Sequence, residues 1–288
     1  MNGALIIDKP RGITSHDAVQ AVRRMLGLRR AGHLGTLDPL ATGVLVVLLG
    51  AATRLATFYS NREKVYEAVI RLGFSTDTYD STGSATSAVQ KSEIDEPNLK
   101  AILSEYLGTI EQQPPIFSAK KVLGVPAYRL ARNGLSVTLK KTMVTIHELR
   151  LISYDGSFVR LHTRVSSGTY IRSLAHDIGQ RVGVGAHLIE LRRTAVGEFN
   201  FSQAITLDEL QKQVVAGMVS IIPPERLLPE IPAVLLEESS ALAVAHGINL
   251  EVRLNSPQIR LLQPSGRLLG IANRCEEGVY HPAVVFPG

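Results

Sequence analysis

The chain opens on four consecutive apolar positions, Ala4 to Ile7, followed by Asp8-Lys9-Pro10-Arg11-Gly12, which predicts a short buried strand and then a turn. Thr14-Ser15 precedes apolar residues at 18, 19, 22, 25 and 26, the spacing of one helix face behind an N-cap, and Gly27 ends it. Residues 64–73 (KVYEAVIRLG) and Ser157 to Val165 alternate as half-buried strands do, whereas Asn98 to Leu107 reads as a helix. Thr169 to Val182 has helical spacing, with Ile171, Leu174, Ala175 and Ile178 on one face. Helices and strands interleave through connections of uneven length, so the pattern predicts a mixed α+β sheet rather than a regular βαβ repeat. Four prolines, Pro223, Pro224, Pro229 and Pro232, mark a boundary. Beyond it a short helix (Ser239 to His246) and strand-like pieces at 259–262 and 268–271 predict a small β-rich module.

Composition narrows the class. With 288 residues, 45% hydrophobic and 20% charged, the chain reads as globular, with room for one large domain and a small one. A single cysteine, Cys275, excludes an internal disulfide, argues against a cysteine-based zinc site, and fits a reducing cytoplasm. MNGALIIDKPRG has no secretory pattern, and no apolar run reaches the roughly 18 residues of a membrane span, so a soluble cytoplasmic protein is expected. Net charge is +5, unevenly spread: residues 1–200 hold 25 Lys/Arg against 17 Asp/Glu, residues 201–288 only 6 against 9. An anionic partner on the first two thirds fits that asymmetry, although a solvated surface of mixed sign fits it as well.

Candidate chemistry concentrates in Gly32-His33-Leu34-Gly35-Thr36-Leu37-Asp38-Pro39-Leu40-Ala41-Thr42-Gly43, a glycine-punctuated loop with one carboxylate that runs into an apolar segment. Taken alone, Asp38-Pro39 also fits a plain turn. No Gly-Lys-Ser/Thr follows the glycines, no His pair brackets a Glu at zincin spacing, and neither a Gly-x-Ser-x-Gly elbow nor a dinucleotide fingerprint occurs. No metal and no cofactor is therefore expected. In Ser166-Ser167-Gly168-Thr169-Tyr170-Ile171-Arg172, Arg172 falls in the first turn of a helix, where the dipole disfavours a cation, so either another group holds it or it is an exposed surface arginine. Thr76 to Gly83 reads as a polar loop.

These segments resemble the TruB family of tRNA pseudouridine synthases. GHLGTLDPLATGVL is similar to the family's GHxGTLDPxATGxL, and four further motifs follow the family order: DKPRGITS, GFSTDTYDSTG, PPIFSAKKVLGVPAYRLARNG, and SSGTYIRSLAHDIG with GAHLIELRRTAVG. Departures are few: Leu34 stands where Thr is common, Ser167 where Lys is frequent, and Phe117 where Tyr is common. The resemblance implies a pseudouridine synthase fold with a mixed, mostly antiparallel central sheet flanked by helices. It implies a catalytic domain over 1–228, with an RNA-gripping insertion at about 112–150, and a PUA-like RNA-binding module over 229–288. It further implies Asp38 as the catalytic carboxylate, Arg172 as its salt-bridge partner, Tyr66 as the aromatic ring on the uracil, His33 as the residue entering the RNA loop, and Leu191 as an apolar wall. Tyr170, Lys9, Asp80 and Lys121 complete the implied substrate-binding set.

Isomerising uridine to pseudouridine gains no atoms and needs no redox step, in keeping with the missing cofactor motifs. The expected partner is the T-arm of tRNA, with uridine 55 as the target, the protein acting as a monomer without an obligate protein partner. Residues 101–150 hold seven Lys/Arg against three acids, which suits a positively charged mobile flap on RNA phosphates. Two other readings stay open: a tRNA-binding or tRNA-folding protein with secondary or no catalysis, and a relative that modifies a different RNA within a ribonucleoprotein.

Overall fold

In the computed structural model, residues 1–286 are described apart from 119, 123, 134, 136 and 137, with the backbone alone for Lys121 and Arg132. Strand β1 (Gly3–Lys9) follows the apolar run, and helix α1 (Ser15–Met25) starts as predicted: the Thr14 hydroxyl accepts from the Asp17 N–H while the Asp17 carboxylate accepts from the Thr14 N–H. Next come β2 (Ala31–His33), β3 (Thr42–Leu49), a 3-10 segment over Gly50–Tyr59, and β4 (Lys64–Leu72). Helix α2 (Glu96–Ser104) begins two residues before the expected Asn98 because Asp95 caps it and Pro97 stands in its first turn, and its last expected residues form a turn instead. Then follow β5 (Gly108–Gln112), β6 (Lys121–Val122), β7 (Val125–Pro126), α3 (Ala127–Arg132), β8 (Thr142–Tyr154) and β9 (Phe158–Val165). Helix α4 (Ile171–Val182) ends on Gly183 in the left-handed conformation, and β10 (Ala186–Val196), β11 (Phe199–Asn200) and α5 (Leu207–Val215) complete the large unit.

The main sheet runs β1-β3-β10-β4-β9-β8-β5, with β2 beside β3 and β11 beside β10. Every pairing in it is antiparallel except β3 with β10, where Thr42 faces Arg192 and Gly43 faces Arg193. This architecture matches the expected α+β class. The insertion is smaller than expected: β5 and β8 pair from Gly108↔Ile146 to Gln112↔Thr142, so residues 142–150 belong to the sheet rather than to a flap. Apolar positions of β8 explain the difference: Val144 and Ile146 are buried, and Ile146 shares a cluster with Leu99 and Leu103 of α2.

A second, five-stranded sheet ordered β12-β14-β15-β16-β13 lies in the C-terminal part: β12 (Ala233–Leu235), β13 (Leu250–Glu251), β14 (Gln258–Leu262), β15 (Leu268–Glu276) and β16 (Val279–Val285), with α6 (Glu238–Ala245). One face of β1 and β3 (Leu5, Ile7, Leu45, Val47, Leu49) joins the cluster under α1, α4 and α5. The other face (Ala4, Ile6, Val44, Val46, Leu48) joins Leu55, Tyr59 and Phe199 with Leu227, Leu228, Ile231, Leu268, Ile271 and Phe286. Tyr59 donates to Glu198 (2.8 Å) and accepts from the Leu228 N–H (3.0 Å), so the junction near the prolines is fixed by buried polar contacts as well as by packing.

Gly43 sits at the head of β3 with φ of 97°, and a Cβ there would overlap the carbonyl oxygen of Arg193. Gly43→Ala is expected to cost at least about 2 kcal/mol, through left-handed strain plus loss of the β3–β10 contact. A chemical denaturation midpoint unchanged from wild type would contradict this.

Candidate active site

The loop between β2 and β3 carries Asp38, and buried polar contacts pin it at both ends. On one side Ser15 of α1 exchanges two hydrogen bonds with Leu37, donating to its carbonyl (3.0 Å) and accepting from its N–H (2.7 Å). On the other side Arg193, only 1% exposed, donates from Nε to Val44 O (2.8 Å), from Nη2 to Gly35 O (3.0 Å) and from Nη1 to Thr36 O (3.4 Å). A guanidinium spread over two carbonyls of the loop and one of β3 ties the loop rigidly to the strand, because its donors lie in a fixed plane.

Asp38 meets Arg172 across this frame: Nε lies 2.8 Å from Oδ2, an ion pair whose N–H is not aimed squarely at the oxygen. Arg172 is buried; Nη1 donates to Thr78 O (3.1 Å) and Nη2 to Phe117 O (2.9 Å), with Asp80 Oδ2 3.6 Å from Nη1. Two carboxylates and two carbonyls thus offset its unfavourable place in the first turn of α4. Because Phe117 contributes its backbone carbonyl, the departure from Tyr at that position leaves this contact intact. Asp80 in turn accepts at Oδ1 from the Thr78 hydroxyl (2.8 Å), the Thr82 N–H (2.9 Å) and the Thr82 hydroxyl (2.5 Å). The same turn holds Tyr79 at φ of 62°, with its ring stacked on His176 at 4.0 Å, a strained backbone position beside the arginine's partners.

Asp38 lines a pocket of about 400 Å³ together with Gly35, Lys64, Tyr66, Ser167, Tyr170, Arg172, Leu191 and Arg193. Tyr66 and Leu191 come from neighbouring strands, β4 and β10, where Leu191 stands opposite Ala68 and Tyr66 opposite Arg193. Tyr170 caps α4 and is clamped by buried Gln112, which accepts from the Tyr170 N–H (2.8 Å) and donates to its carbonyl (3.0 Å). A larger cleft of about 470 Å³ lies alongside, lined by Glu67, Arg160, Glu190 and Arg192, and shares Leu191 alone with this pocket.

Five of the implied residues, Asp38, Arg172, Tyr66, Leu191 and Tyr170, therefore converge. Asp80 stands behind Arg172 rather than in the pocket. Lys9 is fully buried and spends its ammonium on Pro10 O (2.9 Å) and Ile13 O (2.8 Å), so it braces the first turn instead of lining the pocket. His33 ends β2 outside the lining; burial and the nearby Arg193 charge push its imidazole below the usual range, leaving it neutral at pH 7. The Lys121 side chain lies outside the described residues. Sequence reasoning missed Arg193, Lys64 and Gln112 as single residues; the one available signal was a charged side chain at an inward strand position, as in Leu191-Arg192-Arg193.

Desolvation within the loop raises the Asp38 carboxyl; Arg172 opposes the rise and Asp80 adds to it. The carboxylate side chain still keeps 36% of its surface open to the pocket, which limits the penalty. Among the described residues no cluster of three or more His, Cys, Asp or Glu could hold a metal ion. The arrangement can place one anionic oxygen against the sugar of a base seated on Tyr66 and Leu191.

The fold is that of RNA pseudouridine synthases. Over 99% of this chain and 85% of the other it superposes with a TM-score of 0.75 and 26% identity on a chain of an H/ACA ribonucleoprotein bound to a substrate RNA containing 2′-deoxyuridine. The archaeal box H/ACA Nop10–Cbf5 complex matches with a TM-score of 0.72, 26% identity and coverage of 99% and 86%. Residues 23–171 match the TruB family pseudouridylate synthase N-terminal domain and residues 172–224 the tRNA pseudouridylate synthase B C-terminal domain. Proteins called tRNA pseudouridine synthase B are similar over the whole length: 47% identical in Thermobifida fusca (100% of this chain, 99% of the relative) and 41% in Solibacter usitatus (99% and 100%). The chain belongs to the TruB family and is a pseudouridine synthase.

Replacing Arg172 by Met removes the charge that opposes desolvation, so the Asp38 carboxyl, already above its ordinary 3.8, is expected to titrate higher still. Carboxyl-carbon NMR of the two proteins reads this directly. A lower value in the variant would show that Arg172 does not act on Asp38 electrostatically.

Proposed function

We propose that the protein converts uridine 55 in the T-loop of tRNA to pseudouridine, acting in the cytoplasm as a monomer. The ion pair of Asp38 with Arg172, placed beside Tyr66 in a pocket of nucleoside size, carries this reading. A stacked uridine is flipped into the pocket at a cost of a few kcal/mol, offset by stacking and polar contacts there. Asp38 then either attacks C1′ or takes a proton from C2′. Both routes need the same ionised oxygen, held at the ribose before the chemistry begins. The N1–C1′ bond breaks, the uracil turns, and C5 bonds to C1′ as the Asp38–C1′ bond breaks or the proton returns to C2′; the C5 proton then leaves and N1 gains one. Tyr66 stacks on the ring during the turn, with Leu191 as the opposing apolar wall, and the neutral ring of His33 enters the RNA loop from the side of β2.

Binding rests on phosphates facing the catalytic domain, residues 1–228. Lys120, Lys140 and Lys141 stand on the insertion and its return to β8, where Lys120 bonds Lys140 O (3.3 Å) and Lys141 pairs with Glu111 (3.0 Å). The module over 229–288 is PUA-like and contributes less, since Arg260 is spent on the carbonyls of Glu225, Leu227 and Ile231.

Asp38→Asn is expected to lower tritium release from C5-labelled uridine in tRNA by at least about 10³-fold while tRNA binding persists. Unchanged release would remove Asp38 from the chemistry; a protein that binds and folds tRNA without release even as wild type would be a folding factor instead. Wild-type activity should also fall with pH through a carboxyl above the ordinary aspartate value, because the protonated form cannot act. Affinity should drop with salt at a log–log slope of about −0.7 to −0.9 per phosphate contacted, and a flat dependence would count against phosphate-led binding.

A further inference from the structure

Among the described residues, two buried cations in the wall of the Asp38 pocket have no carboxylate partner. Lys64 is 9% exposed and Arg193 1%, and both line the pocket. Among the described residues neither forms an ion pair with a carboxylate, in contrast to Arg172, which holds two. Lys64 donates to Arg62 O (2.7 Å) and Ser167 Oγ (3.1 Å), which leaves one of its three N–H donors unspent. Ser167, accepting from that ammonium, keeps its own O–H to give. Nε and Nη2 of Arg193 are taken by Val44 O and Gly35 O, but its Nη1 makes only a long contact, 3.4 Å, to Thr36 O.

The space between these groups is kept open by Gly35. A Cβ at that position would touch Arg193 Nη1 at 3.5 Å and Lys64 Cε at 3.6 Å, and Gly35 itself is exposed to the pocket. Burial and the like charge of Arg193 lower the Lys64 ammonium to about 8, with no anion acting the other way. Buried positive charge without a partner is costly, and a ligand that brings negative charge relieves it.

We infer that Lys64, Arg193 Nη1 and Ser167 form a subsite for a phosphodiester of the RNA strand adjoining the flipped uridine. A singly charged, tetrahedral group with two free oxygens suits a point-charge ammonium on one side and a planar guanidinium edge on the other. The pocket then receives the nucleoside on Asp38, Tyr66 and Leu191 and its neighbouring phosphate on the Lys64 side, which fixes the direction of the strand through the site. This rests on the reading of the pocket as a uridine site.

The test is a set of T-arm hairpins, native or with a single uncharged methylphosphonate at each linkage flanking the target, neighbouring riboses being 2′-O-methylated. They are bound to wild type, Lys64→Met and Lys64→Arg. Lys64→Met should weaken the native hairpin about tenfold and reduce the salt slope by about 0.7 to 0.9, while Lys64→Arg stays within about threefold of wild type. At one flanking linkage the methylphosphonate should weaken wild type by a similar factor and make Lys64→Met no worse. Should Lys64→Met fail to fold, the wild-type linkage series decides alone. No sensitive flanking linkage, losses that multiply at every linkage, or a slower single-turnover rate at unchanged affinity would each overturn the subsite. Wild type that binds no native hairpin and releases no tritium would instead overturn the uridine reading itself.

Discussion

Backbone against backbone at Gly43 and Arg193 is the contact on which the site depends. Among the described residues it is the single parallel pairing between strands of the main sheet, and it brings the strand leaving the Asp38 loop beside the strand that carries Leu191 and Arg193. A side chain at 43 would force the two apart. Because they touch, Arg193 can reach back over the loop to three carbonyls, and the loop's one carboxylate acquires a fixed position relative to Tyr66 across β4. The precision of the site therefore comes from sheet geometry and a buried arginine fork more than from the loop's own residues.

The electrostatics are deliberately unbalanced. Asp38 is destabilised by desolvation and rescued by Arg172, whose own burial is compensated by Asp80 and two carbonyls. Lys9 and Lys64 are both lowered to about 8 by burial; Asp38 opposes the fall at Lys9, and Arg193 pushes each further down. A protein selected for stability alone would not gather such groups, because replacing buried charges by apolar side chains is often neutral or stabilising by about 1–4 kcal/mol. Apart from Lys9, which is spent on a turn, they are intelligible as groups held ready for a charged ligand and a developing charge.

Much of this was legible in the residues, for identifiable reasons. Thr14 and Asp17 form a capping box that any reader of local rules would place, and the 3.6-residue spacing of Ile171, Leu174, Ala175 and Ile178 fixed α4. The unease of Arg172 in a helix's first turn pointed to an external partner, which turned out to be Asp38 with Asp80 behind it. What stayed hidden depends on distance in sequence: Gln112 clamps Tyr170 from 58 residues away and Arg193 reaches Gly35 from 158. β10 reads poorly by alternation because two register shifts and an inward arginine interrupt it, and β8 was mistaken for flap because its lysine-rich approach hides where pairing begins. Lys9 looked like a substrate ligand by motif; only burial reveals that its charge is spent on a turn.

The β3 strand is sandwiched. Leu45, Val47 and Leu49 face the helices, while Val44, Val46 and Leu48 share a cluster with Leu268 and Ile271 of the C-terminal sheet and with Phe286 just after it. The small module is thus the back plate of the strand that leads out of the reactive loop. A proline-rich junction ordinarily marks a place where two units could evolve apart or be exchanged. Here the seam in the sequence is not a seam in the core, so cutting the chain at the prolines would bare the outer face of β3.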